Sequence, residues 1–416
     1  MNELNLIYEI TLDKLKYKFD SLLKEFSLLE ENNPIEHVKY RIKKLDSIEK
    51  KLIKKNKEFT AENIRSLNDI VGVRIVCCFL SDMYTLIDWI KRDSEIRILN
   101  CKNYIDKPKK NGYMSYHLNI EVPINFQGKV EYVKAEIQVR TIAMDMWASL
   151  EHKIWYKKGI TLPEEMMAEI HEAAVICNKM DESLNTLAQH SSFRNKKEKV
   201  DYPFIHEDGY KVYKMKYELA LLCVKQRIEA VINEYDYSNL VNPIEHIKGR
   251  IKSDDSIGMK LKRYTDSSSI AAIDKYISDV AGIRIVCSFR SEMEKIISFI
   301  RHNLGMEVLL EKDYVTNPKE SGYRAHHFLV NVPLYLRGGV EYVKVEIQLR
   351  TIAMDMWASL EHKLCYQKDV NVNLKQELKN ASEVISIIDK TMDEIIDKSR
   401  EMVMDKKKLS RVKKKN

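Results

Sequence analysis

The apolar positions of this chain fall into two series that run in the same order and lie about 210 residues apart. In the first series Ile7, Ile10, Leu15, Leu22, Leu23 and Leu29 recur at near-helical spacing, which predicts a long helix over 3–31 with a counterpart over 210–234. Asn33-Pro34 and Asn242-Pro243 end these helices. The basic stretches 37–57 and 246–264 read as short helices, and the Val/Ile-rich stretches 69–79 and 279–289 as strands. Helices are expected over 82–92 and 292–303, followed by Pro/Gly loops at 107–112 and 317–322 that lead into strands starting at Tyr113 and Tyr323. Val133, Ala135, Ile137 and Val139 alternate with Lys134, Glu136, Gln138 and Arg140, so a strand there carries one wholly polar face. Thr141 is placed to cap a helix over 142–157, and further helices are expected over 163–189 and 373–404.

The second series repeats the first almost letter for letter in one block. Residues 131–156 and 341–366 differ only at Ala135/Val345, Val139/Leu349, Ile154/Leu364 and Trp155/Cys365. Packing letters have drifted while polar letters are kept, which points to chemistry in the polar ones. The expected organisation is one copy over 1–190, a polar linker over 191–203, a second copy over 204–405 and a basic tail over 406–416. Mixed strands and helices with no Gly-x-Gly-x-x-Gly or Gly-x-x-x-x-Gly-Lys loop predict an α+β fold, a small mixed sheet flanked by helices in each copy.

Charge changes this picture little. The chain of 416 residues carries a formal charge of +7, and the tail 406–416 holds seven Lys/Arg and no acid, leaving 62 basic and 62 acidic residues elsewhere. A broad DNA-binding face is not expected. RNA contact through the tail is possible chemically, but a frayed terminus is the plainer reading. Seven cysteines without a C-x-x-C pair suggest free thiols in a reducing compartment. No apolar run approaches a membrane span and no leader pattern is evident, so a cytoplasmic protein without membrane partners is expected.

Each copy sets two acids in apolar strand surroundings, Asp69 with Glu136 and Asp279 with Glu346, both pairs 67 residues apart. Paired carboxylates on neighbouring strands are a common way to hold a divalent metal for phosphate chemistry. Basic residues match between copies: Arg41, Lys43, Lys51, Arg74 and Lys109 with Arg250, Lys252, Lys260, Arg284 and Lys319. A guanidinium inside an apolar strand, as at Arg74, needs a partner. Tyr113 with His117, and Tyr323 with His327, suit stacking on a base or ordinary strand packing.

His-x-Lys-x-Arg-Ile-Lys, Asp-[Ile/Val]-x-Gly-x-Arg-Ile-Val-Cys, Pro-Lys-x-x-Gly-Tyr-x-x-x-His and Glu-Ile-Gln-x-Arg-Thr-Ile-Ala-Met-Asp, found twice in this order, resemble the small alarmone synthetases of the RelA/SpoT group. That resemblance implies a nucleotidyltransferase-like core and transfer of the β,γ-diphosphate of ATP to the 3′-hydroxyl of GTP or GDP, giving (p)ppGpp and AMP. It implies Mg²⁺ held by Asp69 and Glu136, or Asp279 and Glu346, with Glu136 and Glu346 as general bases. It implies an ATP site of Arg41, Lys43, Lys51, Arg74 and Ser81, matched by Arg250, Lys252, Lys260, Arg284 and Ser291. The GTP site it implies comprises Lys109, Tyr113, His117, Gln138 and Asp145, matched by Lys319, Tyr323, Arg324, His327, Gln348 and Asp355. No His-Asp pair occurs, so the hydrolase activity of longer relatives is not expected. Met114 in place of Arg324, and Tyr40 in place of Gly249, suggest a weaker first copy: one loses an acceptor-side cation, the other crowds the adenine slot. Alternatives are a toxin-like relative acting on an adenine nucleotide or a tRNA 3′ end, or a first copy that only binds nucleotide and regulates the second. Association of repeat with repeat, or of chains as homo-oligomers, is expected from the family and from the amphipathic terminal helices.

Overall fold

The computed structural model describes residues 2–28, 33–155, 163–190, 200–238, 240–365 and 372–413. They form two compact units, one of Met1–His152 with Gly159–Arg194, the other of Lys153–Lys158 with Asn195–Asn416. Most of the expected linker, residues 191–199, lies outside the described residues, as does the tip of the basic tail.

The first unit runs α1 (Asn2–Leu28), β1 (Ile35–Ile42), α2 (Leu45–Lys54), α3 (Ala61–Arg65), β2 (Val71–Cys77), α4 (Leu80–Arg92), β3 (Arg97–Asn103), β4 (Tyr116–Phe126), β5 (Lys129–Thr141), α5 (Ile142–Trp155) and α6 (Glu164–His190). The second begins with a 3₁₀ turn (Pro203–His206). It continues with α7 (Tyr210–Tyr237), β6 (Ile244–Ile251), α8 (Asp254–Leu261), α9 (Ile270–Tyr276), β7 (Ala281–Cys287), α10 (Arg290–His302), β8 (Glu307–Asp313), β9 (His326–Leu336), β10 (Gly339–Thr351), α11 (Ile352–Cys365) and α12 (Val372–Lys413). Each sheet has five strands, in the orders β1-β2-β5-β4-β3 and β6-β7-β10-β9-β8. The central pairs β2/β5 and β7/β10 are parallel and the rest antiparallel. The expected α+β fold is therefore present twice.

Period two sorts each sheet. Val71, Val73, Ile75, Ala135, Ile137, Val139, Leu118 and Ile120 turn into one core with apolar residues of α1, α2 and α4. The opposite face carries the polar letters. Thr141 does cap α5: its Oγ1 accepts from Met144 N at 3.2 Å.

Three local expectations are corrected. The stretches 37–57 and 246–264 are not single helices but a strand followed by a helix. His37, Lys39 and Arg41 alternate with Val38, Tyr40 and Ile42, a period of two that a run of basic letters hides. The strands expected to start at Tyr113 and Tyr323 begin at Tyr116 and His326. The edge strands β3 and β8 had no counterpart in the sequence reading, because they are largely exposed and show no apolar alternation.

Tyr202 and Phe204 are buried and stack at 5.5 Å between ring centroids, and Tyr202 packs on Gly258 of α8. A Cβ at position 258 would overlap the Tyr202 ring, which Phe204 prevents from retreating. Gly258→Ala ordinarily strengthens a helix by about 1 kcal/mol. Here the overlap reverses the sign, with a net loss of roughly 1–3 kcal/mol, readable as a lower urea midpoint. A rise in that midpoint would contradict this packing.

Candidate active site

Strand register places the polar residues of each sheet in rows. In the first unit Arg41 on β1 lies opposite Gly72 on β2, which pairs with Glu136 on β5, which pairs with Asn119 on β4. The next row is Lys39, Arg74, Gln138 and His117. Gly72 leaves room for the Arg41 side chain, since a Cβ there would come within 3.3 Å of it.

Two carboxylates flank the first row. Asp69, just before β2, accepts from Lys43 Nζ at 2.5 Å and Lys51 Nζ at 2.6 Å, both on Oδ2. Burial alone would raise its pKa, but the two ammonium groups overcome this and hold the carboxyl below its usual range. Glu136 accepts from Gln138 Nε2 at 2.6 Å and meets His117 Nδ1 at 3.1 Å. Burial and the nearby Asp69 charge push its pKa up, His117 and Gln138 pull it down, and the net direction is down. Both acids are thus ionised at neutral pH. The second unit repeats this: Lys252 and Lys260 bind Asp279, and His327 and Gln348 bind Glu346.

The donor set suits Mg²⁺, which takes oxygen ligands and usually only one or two carboxylates beside substrate phosphates. Asp69 Oδ1 is buried and without a hydrogen-bond partner, an acceptor left for a cation. Asp279 has one lysine on each oxygen. Among the described residues no cluster of three or more His, Cys, Asp or Glu forms a closed metal site.

A second centre lies beside the first. Asp145, in the first turn of α5 and 2% exposed, accepts from Arg74 Nη1 at 3.0 Å and Arg140 Nη1 at 2.9 Å. Lys39 Nζ stands at 3.7 Å and His37 Nε2 at 4.0 Å. Burial opposes ionisation, but Arg74, Lys39, Arg140 and His37 together hold this carboxyl far below the carboxylate range. Asp355 gathers Arg284, Arg350 and His246 in the same way. The partner that Arg74 requires inside its strand is therefore Asp145.

Arg140 also donates to the Tyr113 hydroxyl at 2.8 Å and to Gln138 Oε1 at 2.9 Å. The Tyr113 hydroxyl lies 2.8 Å from His117 Nε2. Since Glu136 takes the Nδ1 proton, Nε2 accepts from Tyr113. Lys109 Nζ sits over the Tyr113 ring at 4.4 Å and Trp147 meets it edge-on at 6.2 Å.

Asp69 with Lys43 and Lys51 forms one linked set, and Glu136, Gln138, His117, Tyr113, Lys109, Arg74 and Asp145 form a second, joined through Arg140. Ser81 and Ser291 have other partners, their amides donating to Asn185 and Asp393 on the terminal helices. Arg324 donates to the Val315 carbonyl and lines a small pocket with Arg290, Trp357 and Asp389. Its counterpart Met114 joins the core of the first unit. Tyr40 faces α1, donating to Asp20 at 3.0 Å, and Gly249 faces Leu221 of α7. Neighbours on a strand point to opposite faces, so Tyr40 does not crowd Arg41. Crowding by Tyr40 is therefore no reason to expect a weaker first copy.

Arg140/Arg350, Tyr104/Tyr314 and His37/His246 received no role from the sequence. Arg140 was signalled, since it shares the polar face with Glu136 and Gln138 in a block kept in both copies.

Residues 40–161 and 249–371 each match the family described as the region found in RelA/SpoT proteins. The chain is 48% identical over 184 residues to GTP pyrophosphokinase YwaC of Bacillus subtilis strain 168, covering 44% of this chain and 87% of that relative. It is 35% identical over 181 residues to GTP pyrophosphokinase YjbM of the same organism, covering 43% of this chain and 84% of that relative. The crystal structure of small alarmone synthetase 2 from Bacillus subtilis is similar at 46% identity, over 45% of this chain and 97% of its own, with a TM-score of 0.41.

The residue after Arg140 ties the site to α6 and generates a pH dependence. Thr141 Oγ1 donates to Asp181 at 2.5 Å, and Asp181 is 3% exposed. In the second unit the matching Asp389 has Arg290 at 2.7 Å; Leu80 and Met114 stand where Arg290 and Arg324 do, so Asp181 has no such cation. Burial pushes the Asp181 carboxyl up to about 7. Because the unfolded carboxyl titrates near 3.9, the first unit loses stability as pH rises from about 4 to about 7 and then levels off. Asp181→Asn is expected to remove this slope, raising the urea midpoint at pH 8 and leaving it nearly unchanged at pH 4. Equal shifts at both pH values would contradict a neutral Asp181.

Proposed function

Because the chain belongs to the RelA/SpoT family, as an enzyme of the GTP pyrophosphokinase class, we propose that each unit transfers the β,γ-diphosphate of ATP to the ribose 3′-hydroxyl of GTP or GDP. The observation that carries this reading is the ionised pair Asp69/Glu136, repeated as Asp279/Glu346, beside a sheet face that also carries Arg41, Lys39 and Arg74, or Arg250, Lys248 and Arg284.

In this reading the 3′-oxygen of the acceptor attacks the β-phosphorus, the bridge between the α- and β-phosphates breaks, and AMP leaves with the bonding electrons. The hydroxyl proton passes to Glu136 or Glu346, each already ionised and oriented by its histidine and glutamine. Lys43 and Lys51, with Lys252 and Lys260, neutralise the ATP phosphates; Arg41 with Arg74, and Arg250 with Arg284, sandwich the adenine, and Asp145 and Asp355 hold Arg74 and Arg284 in place. Tyr113 and Tyr323 receive the acceptor's base. Mg²⁺, held by the two acids of each unit, would supply charge neutralisation on the diphosphate as it moves. What the residues themselves contribute is positioning and a fixed field in a partly buried site.

The test is incubation of the full chain with ATP and Mg²⁺ plus, separately, GTP, GDP, bulk tRNA or no acceptor, with products resolved by anion exchange. AMP is expected in equal amount with a guanine nucleotide carrying two more phosphates, and chelation by EDTA is expected to stop it. AMP formed only with tRNA or with ATP alone would replace the acceptor in this proposal. No AMP under any condition would overturn it.

A further inference from the structure

In both units the acceptor tyrosine is covered by a lysine of its own loop. Lys109 Nζ lies 4.8 Å from the Tyr104 ring centroid and 4.4 Å from that of Tyr113. Lys319 Nζ lies 4.8 Å from both Tyr314 and Tyr323. The two tyrosines meet edge to face, 6.0 Å apart in the first unit and 6.2 Å in the second. The histidine that touches the catalytic glutamate closes the corner, at 5.2 and 5.3 Å from the first tyrosine.

This corner conflicts with base stacking as it stands. Tyr113 and Tyr323 are each only 8% exposed, and an ammonium covers a face of each ring. A purine and an ammonium cannot share one ring face. The lysine is the mobile partner: Lys109 and Lys319 are exposed, and cation–π attraction is weak at exposed sites. The loop backbone is fixed, since Lys109 N donates to the Tyr113 carbonyl at 3.1 Å and Gly112 N to the Lys109 carbonyl at 2.8 Å, with the same bonds at Lys319 and Gly322. The side chain is therefore free to swing while the main chain stays.

We propose that Tyr104 and Tyr314 form a second wall of the acceptor-base seat, and that Lys109 and Lys319 fill this seat until a guanine nucleotide displaces the ammonium onto its own phosphates. The proposal rests on the reading that Tyr113 and Tyr323 receive the acceptor. It gives the lysine two tasks, and the exchange between them selects the ligand. A nucleoside must displace the ammonium and offers nothing in return. A nucleotide displaces it and provides a phosphate partner.

The test is binding to the full chain without ATP, by isothermal calorimetry, using guanosine and GTP as probes. Lys109→Met combined with Lys319→Met is expected to bind guanosine at least about threefold more tightly, because the seat is vacated. The same variant is expected to bind GTP about tenfold or more weakly, because a charge-assisted contact is lost. Tyr104→Leu combined with Tyr314→Leu is expected to weaken both ligands by a similar factor, roughly fivefold or more. Guanosine binding that is unchanged or weaker in the lysine variant, while the parent chain binds GTP, overturns the exchange. Tyrosine variants that bind both ligands like the parent overturn the second wall. A parent chain that does not bind GTP overturns the acceptor reading instead, and with it the proposal. Unchanged circular dichroism and thermal midpoint separate these effects from misfolding.

Discussion

Asp145 and Asp355 sit in the first turn of a helix, nearly without solvent, and each holds two arginines on a single oxygen. The helix N-terminus favours an acid there, and at Asp145 the surrounding cations hold the carboxyl well below the usual carboxylate range. The arrangement is costly to break. Removing the carboxylate would leave the buried Arg140 or Arg350 guanidinium without this counter-charge, a loss of about 3–5 kcal/mol for a buried pair. The acid also fixes the junction between the last strand and the following helix, where Thr141 caps the helix one residue after Arg140.

From this carboxylate a continuous set of hydrogen bonds reaches the proposed general base. Asp145 holds Arg140, Arg140 holds the Tyr113 hydroxyl and Gln138, Tyr113 donates to His117, and His117 and Gln138 both hold Glu136. The second unit repeats this series from Asp355 to Glu346. The acceptor tyrosine and the base are thereby oriented by the same guanidinium, which is how a site keeps its geometry without help from the substrate. The proposed metal ligand depends on a different device, two lysines on Asp69 or Asp279 that keep it ionised and hold it in place.

Much of this was legible before the fold was seen. The polar face of β5 follows from strict alternation, and the two ionised acid pairs from acids set among apolar letters at one spacing in both copies. What escaped depended on direction and depth. Residues 37–42 read as helix because their basic letters mask a period of two. Tyr40 looked like a neighbour of Arg41 because it is adjacent in sequence, whereas a strand sends the two to opposite faces. The partners of Arg324, the Val315 carbonyl and a pocket beside Asp389, were not legible, because a side chain leaving an irregular segment has no periodicity to reveal its direction. The lysine between two tyrosines and the buried Asp181 are products of tertiary packing and leave no local pattern.

The two copies have diverged where they contact their own helices and have kept the atoms that meet on the sheet face. The account therefore holds that both sites are complete and both turn over. The most direct test is steady-state AMP release by Glu136→Gln, by Glu346→Gln and by the double variant, each in the full chain. Retention of a substantial fraction, about half, by each single variant, with a loss of about a hundredfold or more in the double, is the predicted result. A single substitution that abolishes turnover as completely as the pair would contradict two complete sites.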